Sequence, residues 1–292
     1  MKYFRYVLKK LLGMIPIILI VSAVVFFLLR MSGVDPVTVM IGEKQATDEL
    51  RESLKTQFNL DKPLLTQYWI WLKGVLTGDL GVDYINKQSI QELIVSRLPV
   101  TVGLVIMSSL FGMTFAIILG VIAALNRNKP ADHILSVVML FLTSVPNFVV
   151  SILVIVFCSK FIPGYSFVGA YSNFGEFLQR IFVPSLVMSL GVVAMLGRIT
   201  RSSMISQLQA PHIITARAKG MDNFNVTFKH AFHNAVIPVI TIAGLQFAGS
   251  VGGTVLIEQI FSLPGVGGLL ISGIQQNNYP VVQILVLFML VI

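Results

Sequence analysis

Five mostly apolar runs, each close to or beyond the roughly 20 residues that cross a bilayer, dominate this chain: Leu11–Leu29, Thr101–Leu125, His133–Phe157, Ile181–Leu196 and Ala235–Ile257. A sixth begins near Val281 and is still apolar at Ile292. In hydrocarbon no water satisfies backbone N–H and C=O groups, so such runs read as helices. The expected fold is therefore all-α integral membrane, with six transmembrane helices and a small extracytoplasmic segment after the first. A hydrophobic share of 55% against 12% charged residues fits this. The sixth run covers about half a crossing, which predicts a native chain some ten to thirty residues longer (roughly one span).

Charge placement predicts the orientation. The N-terminal arm carries Lys2, Arg5, Lys9 and Lys10 and no acid. Loop 126–132 carries Arg127 and Lys129 against Asp132; loop 197–234 carries Arg198, Arg201, Arg217, Lys219 and Lys229 against Asp222. Segment 31–100 is mildly acidic, and 258–280 has no lysine or arginine. The positive-inside rule puts the basic loops and the N-terminus in the cytoplasm. The net charge of +8 is thus spent on short membrane-flanking loops rather than on a nucleic-acid surface. The first run exceeds a signal-peptide core and has no small-residue cleavage pattern behind it, so it reads as a retained span. One cysteine, Cys158, excludes an internal disulfide framework.

Segment 31–100 has helical periodicity over Ala46–Phe58, and Tyr68, Ile70 and Trp71 lie in an amphipathic stretch between Pro63 and Leu76 suited to the membrane interface. Gly78–Gly81 reads as a turn and Ser89–Ser96 as a short helix. Pro146, Pro184 and Pro238 fall inside or at the mouth of apolar runs, where they free backbone carbonyls. The domain division expected is 1–95, a first span plus cap, and 96–292, the membrane core.

The stretch Thr215-Ala-Arg-Ala-Lys-Gly220 is basic, made of small residues and held between two spans, which suits a docking surface. Gly220 fits the left-handed residue after a helix running from about Ser206, and Asp222 or Asn223 can cap the next helix. Ala216 and Gly220, four apart, share a face that would let another backbone approach. Candidate docking residues are Thr215, Ala216, Arg217, Ala218, Lys219 and Gly220. Glu258, an acid at the end of the fifth run, and Asn147 after Pro146 are candidates for the lining of a path. Glu258 can equally hold the turn at Pro264-Gly265. His212, His230, His233 and His133 lack the cysteine or acid that would complete a metal set, and no metal or catalytic residue is expected.

These blocks resemble the cytoplasmic "EAA" loop of ATP-binding-cassette importer permeases, in the dipeptide/oligopeptide/nickel branch. Thr215, Ala216, Gly220 and Pro238 fit its pattern, with Ile214 where the family has glutamate. Lys229–Ala235, Gly33–Pro36, Asn59–Pro63, Arg97–Thr101, Ser144–Asn147 and Glu258–Gly267 resemble further blocks of that branch. The resemblance implies the type I ABC importer permease fold and half of a path for peptides, or alternatively for nickel or a metal chelate. It also implies a second related permease in a heterodimer, two ATPases carrying ATP and magnesium, an extracytoplasmic binding protein, and a multi-pass place in the cytoplasmic membrane. No G-x-x-x-x-G-K-[ST] phosphate loop occurs, so hydrolysis belongs to other subunits. A secondary transporter would need ionisable residues within its spans, and a membrane enzyme a set of nucleophile, base or metal ligands. Neither signature is present.

Overall fold

A computed structural model describes residues 2–42, 47–162, 164–168 and 171–291, without the side chains of residues 2–4, 7, 8 and 11. The helices are α1 (Lys2–Met31), α2 (Pro36–Ile41), α3 (Asp48–Gln57), α4 (Leu64–Thr77), α5 (Ile90–Leu125), α6 (Pro130–Ser144) and α7 (Asn147–Phe161). They continue with α8 (Phe174–Leu208), α9 (Pro211–Ala218), a π-helical stretch over Asn225–Phe232, α10 (His233–Ile260), α11 (Val266–Gln275) and α12 (Tyr279–Val291). Two compact units emerge, one from residues 1–99 with 264–292 and one from 100–263.

Four of the described helices are long and apolar enough to cross a membrane, within Leu12–Met31, Ile90–Leu125, Phe174–Leu208 and Asn225–Ile260. The third predicted span is not a straight rod. It breaks into α6 and α7, bent by 97° at Val145-Pro146. Proline lacks an N–H and disfavours helix in the residue before it, and Val145 duly lies at φ −85°, ψ 121°. The sixth run forms α12, and Ile292 lies outside the described residues. Ser89–Ser96 is not a separate helix: α5 starts at Ile90 and runs through Pro99 for 36 residues. Ala46 also lies outside the described residues, and the helix predicted there begins at Asp48, capped by the Thr47 hydroxyl.

In the first unit, Phe26 of α1 is fully buried against Tyr68 and Leu72 of α4, and Tyr68 Oη lies 2.8 Å from Ser22 Oγ. A second cluster gathers Ile90 and Ile94 with Val266 and Leu269 of α11 and Ile284 and Leu285 of α12. Between α4 and α5 the chain turns at Gly78 (φ 88°) and Gly81 (φ 81°) and is pinned by Asp83. Burial would raise the Asp83 carboxyl, but hydrogen bonds from the Ile85 N–H, Asn86 and Asn278 outweigh it and hold it below the usual range.

The second unit rests on a close crossing of α5 and α8. A Cβ added to Gly120 would stand 2.6 Å from Thr200 Cβ and 2.7 Å from the Gly197 carbonyl oxygen. Gly112 similarly abuts Val192, and Gly103 abuts Phe177 and Ile181. Apolar side chains gain nothing from leaving lipid, so membrane helices bind through such small-residue seams. Gly120→Leu is therefore expected to lower the thermal stability of the purified subunit by roughly 1–3 kcal/mol, as overpacking does. Gly244→Leu, where nothing lies within 4 Å, is the control. Equal melting temperatures for the two variants would count against the seam.

Candidate functional site

The stretch 209–234 is built around a helix too short to persist alone. An eight-residue segment is below the length at which isolated helices hold, so α9 needs anchors. Ile213 (0% exposed) and Ala216 (8%) supply them. They pack with Val121 and Ala124 of α5, Met204 of α8, Val226 and Ala231 of the π-helical stretch, and Ala235 of α10. Burying an isoleucine of this kind is worth about 2 kcal/mol. The same cluster thus gathers the ends of three spans beneath one short helix.

Both ends of α9 are fixed by backbone chemistry. The helix does not start near Ser206: α8 ends at Leu208, and Pro211, which needs no N–H partner, opens α9. At the other end Gly220 adopts φ 78° and forms a Schellman closure, its N–H on the Arg217 carbonyl (2.9 Å) and the Met221 N–H on the Ala216 carbonyl (3.3 Å). Asp222 caps the next helix, its carboxylate accepting from the Asn225 N–H at 3.0 Å and from Asn225 Nδ2 at 2.6 Å. Those bonds hold the Asp222 carboxyl below its ordinary range. The cap therefore survives mild acid and is lost only as pH falls through that depressed value. The chain then widens into π-helical turns, a form enriched at functional sites.

The small face expected for docking divides. Thr215, Arg217, Ala218, Lys219 and Gly220 are exposed, whereas Ala216 turns inward. Ala216 thus belongs to the seat beneath the helix. Ile214 is 62% exposed on the outward side, and the exposed Phe224 (69%) and Phe228 (43%) meet with their rings tilted by 40° and centroids 4.8 Å apart. Nothing in the sequence signalled the two phenylalanines' exposure, though an isoleucine in place of an acid was a visible signal at 214. Neither Arg217 nor Lys219 forms an ion pair among the described residues. The Asn234 amide donates to the His230 carbonyl and lies 3.5 Å from His212 Nε2, tying the start of α10 back to α9.

One side-chain pair joins the basic loops. Arg201 Nε and Nη2 bind the two Asp132 oxygens at 2.5 and 2.7 Å, and the Asn128 N–H donates to Asp132 Oδ2 at 3.0 Å. Asp132 is 1% exposed. Sequence reasoning treated these charges as markers of orientation, yet they clasp α6 to the end of α8.

The two other candidates part ways. Asn147 is the first residue of α7, half-buried beside the bend at Pro146. Glu258 is fully buried, its carboxylate accepting from Thr101 Oγ1 at 2.6 Å, and its backbone carbonyl accepts the Leu263 N–H at 2.9 Å. Its side chain is enclosed within this subunit, and its backbone ties the end of α10 to the turn that follows.

Comparison with known proteins agrees with this architecture. Residues 116–292 match the family described as "Binding-protein-dependent transport system inner membrane component", and residues 3–105 match its N-terminal counterpart. The glutathione transport system permease protein GsiC of Escherichia coli K12 is 35% identical over 279 residues, covering 96% of this chain and 89% of that protein. The GsiC protein of Shigella flexneri serotype 5b is 34% identical over the same shares. The chain belongs to the binding-protein-dependent ABC importer permeases, in the oligopeptide-type branch. It is a multi-pass inner-membrane permease subunit of the type I fold, working with a substrate-binding protein and with ATPases that are separate subunits.

The clasp yields a test. Arg201→Met leaves a buried carboxylate unpaired and is expected to destabilise the purified subunit by about 3 kcal/mol, the low end for a broken buried pair because Arg201 is partly hydrated. Arg201→Met combined with Asp132→Leu should recover most of the melting temperature. Additive losses would contradict a paired clasp.

Proposed function

We propose that this subunit forms half of a translocation path for peptides and that α9 is the surface on which an ATPase acts. The seating of α9 carries the reading. A short helix closed at both ends, fixed from beneath by Ile213 and Ala216, presents Ile214, Thr215, Arg217, Ala218 and Lys219 outward. Its free cations suit an acidic partner, and Ile214 suits an apolar socket. Because the seat includes Val121, Met204 and Ala235, a push on α9 reaches three spans together. In this reading the N-terminus and segment 197–234 are cytoplasmic, as their basic residues favour, and residues 1–95 and 96–292 are the cap-bearing and core parts.

The partner assembly proposed is a heterodimer with a second related permease, two ATPases that bind ATP and magnesium, and an extracytoplasmic binding protein. ATP-driven closure of the ATPases would move the two docking helices and open the path outward, and hydrolysis would reset it. Peptide cargo is favoured over nickel because the similar permeases named above are glutathione permeases, and glutathione is itself a peptide. Asn147, beside the bend of α6 and α7, is proposed to border the path. Glu258 is proposed as a brace that holds α10 to Thr101.

Gly220→Val tests the docking role. Nothing lies within 4 Å of a Cβ at that position, so the substitution acts through φ, where a β-branched residue costs roughly 1–2 kcal/mol. The variant should insert normally, co-purify with less ATPase and lose uptake. Gly220→Asn, which tolerates the left-handed region, should retain most of both. Full uptake and normal assembly in Gly220→Val would remove α9 from the coupling route.

A further inference from the structure

A cavity of about 210 Å³ opens in the first unit where α1 ends, and Arg30, Asp35, Lys55, Leu64, Gln67 and Tyr279 line it. Arg30 is half-buried over the Phe26 ring, 3.5 Å from its centroid. Its Nε donates to Gln67 Oε1 at 3.1 Å and its Nη1 to the Phe26 carbonyl at 3.5 Å. Among the described residues no carboxylate pairs with it, and its Nη2 is uncommitted.

The surrounding polar groups cannot turn to fill that role. The Gln67 amide nitrogen is held by the Leu60 and Lys62 carbonyls, and the Tyr279 hydroxyl donates to the Val34 carbonyl. Asp35 is occupied by the Val37 N–H and the Thr38 hydroxyl, with Arg51 at 4.0 Å. Lys55 gives one bond to Glu52 and has further donors to spare. The cavity therefore offers a fixed guanidinium edge and an ammonium to an oxyanion, for which charge-assisted bonds are the strong ones.

Two neighbouring facts narrow the ligand. Arg30 closes the first membrane-crossing stretch, Leu12–Met31. The helix α4 that supplies Leu64 and Gln67 also exposes Leu65 (65%) and Trp69 (64%), the amphipathic dress of an interfacial helix. We propose that this cavity holds the phosphate of a membrane phospholipid between Arg30 Nη2 and Lys55 Nζ, with its acyl chains along the exposed apolar residues of α4. A soluble phosphate would satisfy the cations but leave Leu65 and Trp69 uncovered.

The test uses the complete transporter purified in detergent and needs no transport assay, so it stands apart from the docking reading. A phosphatidylglycerol carrying a photoreactive acyl chain should label the peptide spanning residues 64–72, and a diacylglycerol with the same chain should not. Lys55→Gln, at a half-buried position, should weaken apparent labelling affinity about tenfold, and Arg30→Gln with Lys55→Gln should reduce it to the diacylglycerol level. Equal labelling by both lipids, or unchanged labelling in Lys55→Gln and in the double variant, would overturn the proposal. Displacement of the lipid by millimolar inorganic phosphate would overturn the lipid assignment in favour of a soluble oxyanion.

Discussion

The contact of α5 with α8 at Gly120 and Gly197 is the constraint on which the second unit depends. Within lipid the usual gain from burying apolar side chains between helices disappears, and close packing must replace it. With no side chain at either glycine, the crossing brings Gly120 up to the Gly197 carbonyl and Thr200. That approach fixes where the far end of α8 lies, and so where Arg201 meets Asp132 and where Met204 meets Val121 and Ala124. A bulkier residue at Gly120 would displace all of these together.

The seat of α9 follows from the same geometry. The helix contributes little cohesion of its own, and its position is inherited from the ends of α5, α8 and α10. Such an arrangement suits a coupling element better than a long self-supporting helix would. In the proposed reading, a load applied to α9 passes through Ile213 and Ala216, and through the His212–Asn234 contact, into the spans beneath. The clasp between Asp132 and Arg201 extends that block to α6, whose bend at Pro146 places Asn147 at the start of α7. The chain's part in transport is then mechanical, consistent with an importer permease whose ATP chemistry lies in separate subunits.

Much of this was legible in the sequence because its signals are local. Apolar run length identified the spans, Gly220 announced a left-handed helix end, and Asp222 was one of two residues offered as the next cap. Pro146 marked a weak point, though not a bend of 97°, since the angle depends on packing around the break. The burial of Ala216 was not legible: its partners Val121 and Met204 come from distant parts of the chain, and the eight-residue helix carries too few apolar positions for a clear stripe. The enclosure of Glu258 was not legible for a related reason. An acid near a span end reads as exposed to a path until its partner Thr101, 157 residues away, is known. Arg201 and Asp132 were seen only as charges for the same cause.

The central claim is that the outward side of α9, and not its buried side, meets the ATPase. Maleimide labelling of Ile214→Cys in a Cys158→Ala background measures this directly, with Ile213→Cys as the buried reference. Ile214 is 62% exposed and Ile213 is 0% exposed in the isolated subunit. The account predicts fast labelling at 214 in permease stripped of ATPase, strong protection once the ATPase is rebound, and slow labelling at 213 in both states. Labelling at 214 that stays equally fast with the ATPase bound would contradict it.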